Sequence, residues 1–302
     1  MYNLGGVDLS DIPFIAGVQN NSDIALSGLF DMPARLGKTF HDWGDEDGIE
    51  PYVSASEIFF GGRDLSLTGF IKGNNKSDCN DKLGVLYNLI NSFTDTVPLQ
   101  SDWGSFNVYV NAPIVGNRLS DTILSVTIPF REPVVDMTPL IPIGDSSQYG
   151  IDGNSFALLG GEALKLSGDS WNRTNPKTEN ISFFGKEKAF IGRLTAPEHT
   201  LTIGLRDESF IGLRYKVKEF MALLASPGVR KLVYPNDKLR AFFVKDGFKT
   251  TALYAKRTKK FCVIDIKITE VNVTSVITLE NLIDYQKFNV TDSDGNNIKL
   301  II

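Results

Sequence analysis

Alternating apolar and polar positions mark Leu65-Ser66-Leu67-Thr68-Gly69-Phe70-Ile71 as a strand with one buried face, and Leu201-Thr202-Ile203-Gly204-Leu205 repeats the pattern. A helical stripe follows each. Leu83, Leu86, Tyr87, Ile90 and Phe93 in the first case, and Val217, Phe220, Met221 and Leu224 in the second, fall at helical spacing, so each predicted helix lays one apolar face on a sheet. Turn formers at 94–98 and at Ser226-Pro227-Gly228 close the two helices. Beyond them, strands are expected at 97–100, 105–110 and 123–130, matched by 231–234, 239–245 and 261–269.

The same order of elements thus occurs twice, offset by roughly 134 residues, which is the spacing of a duplicated domain. Asp23-Ile24-Ala25-Leu26-Ser27-Gly28 sits against Ser155-Phe156-Ala157-Leu158-Leu159-Gly160, and His41-Asp42-Trp43 against Asp169-Ser170-Trp171. The fold class this predicts is mainly β (α+β), with two tandem β-sandwich or barrel domains that each carry one amphipathic helix. The expected division is a first domain at 1–138, a linker at 139–153, a second domain at 154–271 and an extension at 272–302. Asp246-Gly247 predicts a type I′ hairpin between 242–245 and 248–250. In the extension, 273–277 is strand-like, and a terminal hairpin is expected from Phe288-Asn289-Val290 to Ile298-Lys299-Leu300, leaving the apolar end Leu300-Ile301-Ile302 in need of a covering partner.

Composition changes this picture little: 42% hydrophobic and 22% charged residues are those of an ordinary globular protein. No apolar run approaches the ~20 residues of a membrane span, and Met1-Tyr2-Asn3-Leu4 lacks signal-peptide order, so cytoplasmic synthesis without membrane contact is expected. Cys79 and Cys262 lie at non-equivalent positions and are expected as reduced thiols.

Charge is more informative. The net charge of -5 hides an acidic run in the first half, including Asp45, Glu46 and Asp47, and a basic set in the second, including Arg214, Lys218, Arg257, Lys259 and Lys260. The basic residues follow no nucleic-acid recognition pattern, which leaves solvated faces or subunit contacts.

Candidate chemistry does not assemble. With Gly48 as the turn glycine of a calcium loop, Trp43 and Ser54 fall where an aspartate and a bidentate glutamate are required, and Asp292-Ser293-Asp294-Gly295 would end on Ile301. Gly168-Asp169-Ser170 resembles an esterase nucleophile triplet, but His41 and His199 show no pairing signal with it. Gly61-Gly62-Arg63 and Gly160-Gly161-Glu162 lack the completion that cradles phosphate. No catalytic residue, metal or cofactor is expected. Trp43, Trp103 and Trp171 stand in polar surroundings, where a carbohydrate-binding module displays tryptophan; the competing reading has Trp43 and Trp171 plugging equivalent ends of two domain cores.

Pro33-Ala34-Arg35, His41-Asp42-Trp43-Gly44-Asp45, Asp47-Gly48-Ile49-Glu50 and the run from Phe59-Phe60-Gly61-Gly62-Arg63 to Gly69, followed by a helix and paired strands, resemble the ring-forming domain of bacteriophage distal tail proteins. The resemblance covers about a third of the chain directly, and the second unit through the internal repeat. It implies a tail-tube fold and a structural, non-enzymatic protein of the virion tail, made in the bacterial host cytoplasm. It further implies a ring at the distal tail or baseplate hub, with neighbouring tail tube and baseplate proteins as partners and DNA as transient cargo in the lumen. Two fused tube domains are similar to tail hub proteins, in which three chains supply six positions; a hexamer in two layers is the other assembly implied. On this view Asp45, Glu46 and Asp47 face the lumen or an axial neighbour, and Arg214, Lys218, Arg257, Lys259 and Lys260 make subunit contacts. The alternative is a tandem β-sandwich adhesin that binds glycan through Trp43, Trp103 or Trp171.

Overall fold

The computed structural model describes residues 1–18, 22–43, 46–137, 149–167, 176–183, 186–235, 237, 239–255, 258–271, 279–281 and 299–301. The protein is mainly β, with two helices among the described residues. The first half contains β1 (Tyr2–Leu4), β2 (Val7–Asp8), β3 (Phe14–Ala16), β4 (Leu26–Ser27), β5 (Phe40–His41), β6 (Glu50–Pro51) and β7 (Arg63–Lys72). Helix α1 (Lys76–Asn91) follows, then β8 (Val97–Ser101), β9 (Gly104–Val110), β10 (Val115–Ser120) and β11 (Ile123–Glu132). The second half contains β12 (Gly150–Ile151), β13 (Asn154–Ser155), β14 (Gly161–Leu166), β15 (Pro176–Phe183), β16 (Lys186–Leu194) and β17 (Glu198–Asp207). After helix α2 (Phe210–Ala225) come β18 (Arg230–Val233), β19 (Arg240–Phe243), β20 (Phe248–Tyr254), β21 (Lys260–Glu270), β22 (Leu279–Asn281) and β23 (Lys299–Ile301).

The two halves share one topology. The first sheet runs β2-β1-β8-β9-β11-β7-β3, with β10 on β11 and β4 on β7; the second runs β13-β12-β18-β19-β21-β17-β14, with β20 on β21. Alternation places Leu124, Val126, Ile128 and Phe130 on the buried face of β11, and Cys262, Ile264, Ile266 and Ile268 on that of β21. Each helix starts at a side-chain cap that satisfies an orphan backbone N–H: Asn75 Oδ1 accepts from Asp78 N at 3.0 Å, and Ser209 Oγ from Gly212 N at 2.9 Å. One contiguous hydrophobic cluster runs through both halves.

Several expectations are corrected. The repeat begins at β1 and β12, not at Ile24 and Phe156. Gly5-Gly6 and Asp152-Gly153 are equivalent left-handed hairpin turns (φ 59° and 90°; 53° and 78°), and in each half the chain returns through a like bond, Leu9 N to Tyr2 O or Phe156 N to Tyr149 O. Gly150–Ile151, assigned to the linker from sequence, pairs with β18.

The predicted 242–250 hairpin does not form: β19 and β20 both pair with β21 rather than with each other, and only Gly247 of the Asp-Gly pair is left-handed. Carbonyls near that turn are taken by the first half instead, Phe248 O by Met32 N at 2.9 Å and Lys245 O by Arg35 N at 3.4 Å. In the extension Lys299–Ile301 pairs with Leu279–Asn281; Phe288-Asn289-Val290 and 273–277 lie outside the described residues.

Candidate functional site

The second half is built to receive the first. Residues 22–35 of the first half run along the free edge of β20, making bridges from Ser22 to Leu253 and from Met32 to Phe248. Asp23 N donates to Leu253 O at 2.9 Å, Ala255 N to Asp23 Oδ2 at 3.0 Å, and Thr250 N to Asp31 Oδ1 at 2.8 Å. Burial raises the carboxyl pKa of Asp31 above its ordinary value, although the Thr250 N–H favours its anion. Gly247 permits the approach: its φ is +68°, and a Cβ there would lie 2.3 Å from Met32 O.

Further along the chain, the stretch after β6 fills a groove between the end of α2 and β19. Val53, Ile58 and Phe60 line it opposite Leu224, Phe243 and Val244, Val53 O accepts from Gly228 N at 2.7 Å, and the cavity left is only about 10 Å³, too small for more than a single water. The Phe40 ring lies 6.5 Å from that of Phe243. Arg35 enters the same groove, and burial lowers its pKa.

The N-terminal end of α2 closes the contact from the other side. Phe210 stacks on Phe30 at 5.3 Å and receives Trp103 edge-on at 4.7 Å. Arg214 and Arg63 both lie over the Phe106 ring, at 5.2 and 5.5 Å. Burial lowers the pKa of Arg214, with the nearby Arg63 adding to the effect. This second contact explains why α2 buries eight residues and α1 three.

Each half also buries a glutamate at the end of a long central strand, β11 or β21. Glu132 accepts from Arg63 Nε at 2.6 Å. The equivalent Glu270 pairs with Arg240 and stands 3.1 Å from His199 Nε2, while Asp237 binds the same guanidinium twice, at 2.6 and 2.9 Å. His199 Nδ1 lies 3.0 Å from the Ser167 carbonyl, which only accepts, so that nitrogen carries a proton. All four polar side chains are engaged with one another in the interior, as a cross-strand brace rather than an open catalytic centre. Among the described residues, no group of three or more His, Cys, Asp or Glu side chains is placed to hold a metal ion.

The residues singled out from sequence scatter over this structure. Asp47 is exposed, yet its Oδ1 accepts from Leu194 N at 2.6 Å, clipping the acidic loop to the end of β16; Glu46 is exposed beside it. Arg214 and Lys218 are spent between the two halves of one chain, Lys218 pairing with Asp136 at 2.6 Å. Lys259 lines an open pocket with Arg206 and Lys216, and Lys260 is half-buried at the start of β21.

Trp103 is committed to Phe210. Trp43 is 44% exposed, lies against His41 at 4.0 Å with the rings tilted, and donates to Glu50 at 2.9 Å, so it does not plug a core. Asp45, Arg257 and Trp171 lie outside the described residues. Sequence reasoning missed the edge contact and the buried glutamates. No model of a known protein family matches the chain, and a search of curated proteins finds no match.

Proposed function

We propose that this protein is a structural component of a bacteriophage or phage-derived tail. It forms a ring at the distal tail or baseplate hub by self-assembly, around a channel that DNA crosses, and performs no catalysis. The observation that carries this reading is the covering of the β20 edge by the first half of the same chain. Two units of one topology, each with a helix on its sheet, are joined so that one caps an edge strand of the next.

A unit that docks on its neighbour in this way is a ring-building element, and two per chain let three chains fill six positions. The sequence likeness to the ring-forming domain of distal tail proteins points to the same assembly. A channel for DNA works best when it does not hold phosphate, which suits the acidic loop around Asp47 for the lumen or an axial face better than the lysines of the second half.

Sedimentation and electron microscopy of the purified chain test the reading. A ring of three or six chains supports it. A particle that remains monomeric at the highest attainable concentration, or binds glycan as a monomer through Trp43, overturns it, as does a ring whose channel is lined by second-half lysines.

A further inference from the structure

The two halves share a topology but not a state of cover. In the second half the edge of β20 is bridged near both ends, at Leu253 and Phe248, and the groove beside it is filled to about 10 Å³. In the first half, among the described residues, the equivalent strand β10 pairs only with β11, and all six of its residues are exposed, including Val115 at 53% and Leu119 at 62%. The equivalent groove stands open, with a volume of about 710 Å³. The match is residue by residue: Ile90, Val97, Tyr109 and Val110 line the open groove where Leu224, Arg230, Phe243 and Val244 line the filled one.

The insert between β4 and β7 fills the second-half groove with Val53, Ile58 and Phe60, and it also carries the β5–β6 arm, whose Phe40 ring lies 6.5 Å from that of Phe243. Its counterpart, inserted between β14 and β17, is the β15–β16 hairpin, which forms a two-stranded sheet of its own. Isolated hairpins of that kind are marginal in water and gain stability from a partner surface.

We infer that the β15–β16 hairpin of one copy docks on the β10 edge and the open groove of a second copy, repeating between chains the contact that the first half makes with the second within a chain. The partner is therefore another copy of this protein, joined head to tail. This inference rests on the ring reading above and specifies which surfaces close the ring.

Two variants test it. Val115→Lys with Leu119→Lys charges the β10 edge at side chains already exposed, so folding is unaffected. Replacing 177–193 by a short Gly-Ser turn removes the hairpin; circular dichroism and thermal melting check that this chain folds. Each variant alone is expected to lose at least about 100-fold in self-association by sedimentation. Mixed together, they are expected to give a one-to-one dimer that grows no further, because each supplies the surface the other lacks.

If the native chain assembles and either folded variant assembles equally well, or the mixture gives no dimer, the inference is overturned while the ring stands. A native chain that remains monomeric throughout overturns both. Should the hairpin-less chain fail to fold, the edge variant mixed with native protein decides: it should cap native assemblies as a chain terminator, and unimpeded growth rejects the docking.

Discussion

Phe210→Ala removes the aromatic ring at the centre of the contact between the halves. Phe210 is 8% exposed, and its ring lies between Phe30 at 5.3 Å and Trp103 at 4.7 Å. Truncating a buried phenylalanine to alanine costs about 3–5 kcal/mol through lost transfer energy and the cavity left behind. The two aromatic pairs lost with it account for about 0.5–1.5 kcal/mol each of a total near the upper end of that range. At about 2–4 °C per kcal/mol for a chain of this size, the melting temperature should fall by roughly 8–16 °C in scanning calorimetry.

The control is its neighbour. Ile211 is 81% exposed on the same turn, and Ile211→Ala should change stability by no more than about 0.5 kcal/mol. A double-mutant cycle with Trp103→Ala should return a coupling of about 0.5–1.5 kcal/mol. Because one hydrophobic cluster spans both halves, the native chain should melt in one transition and the Phe210 variant in two. A loss below about 1 kcal/mol for Phe210→Ala, or an equal loss for Ile211→Ala, would refute the shared-core reasoning.

Other outcomes follow from the same contact and from the core of the second half. Gly247→Ala places a methyl group at φ +68° against the Met32 and Pro33 carbonyls; it should destabilise by about 1–3 kcal/mol, with faster hydrogen exchange at the Met32 amide. The raised pKa of Asp31 means its neutral form is favoured in the folded state. Its contribution to stability is therefore present below the ordinary value of 3.8 and is lost as pH rises through the elevated folded value. Asp31→Asn keeps the acceptor for Thr250 N and should flatten that part of the pH profile in thermal melts; an unchanged profile rejects the assignment. Burial pushes the Cys262 thiol up to about 12, so at pH 8 an aromatic disulfide reagent should label it only as fast as the protein opens, and labelling within seconds would contradict its burial.

What the sequence disclosed depends on the length of each pattern. Leu65, Leu67 and Ile71 sit on a ten-residue strand and announce themselves by period, as do Phe220, Met221 and Leu224 on α2. The repeat's true beginning did not, because β1 and β12 span three and two residues, too short for any period. The usable signal was turn chemistry: a tyrosine followed three positions later by Gly5-Gly6 or Asp152-Gly153.

The buried glutamates were also readable. Glu132 continues the inward alternation of Val126, Ile128 and Phe130, and Glu270 that of Ile264, Ile266 and Ile268. Asp246-Gly247 misled because a dipeptide reports only local preference, whereas the carbonyls around it are claimed by Met32 and Arg35, more than 200 residues away by their numbers. The open groove and bare β10 edge had no signature at all, since their meaning lies in comparison with the filled copies.

The separation along the chain between Asp31 and Thr250 is 219 residues, and between Asp23 and Ala255 it is 232. During synthesis at about 5–20 residues per second, the 22–35 segment leaves the ribosome some 10–45 seconds before the strand it caps exists. In the later part of that interval, once residues 115–132 are made, the nascent first half carries the exposed β10 edge together with a segment that has no strand to cap, beside other copies on the same messenger. Pairing between neighbouring nascent chains would then be a kinetic hazard, and slow translation of the stretch before β20 would lengthen it.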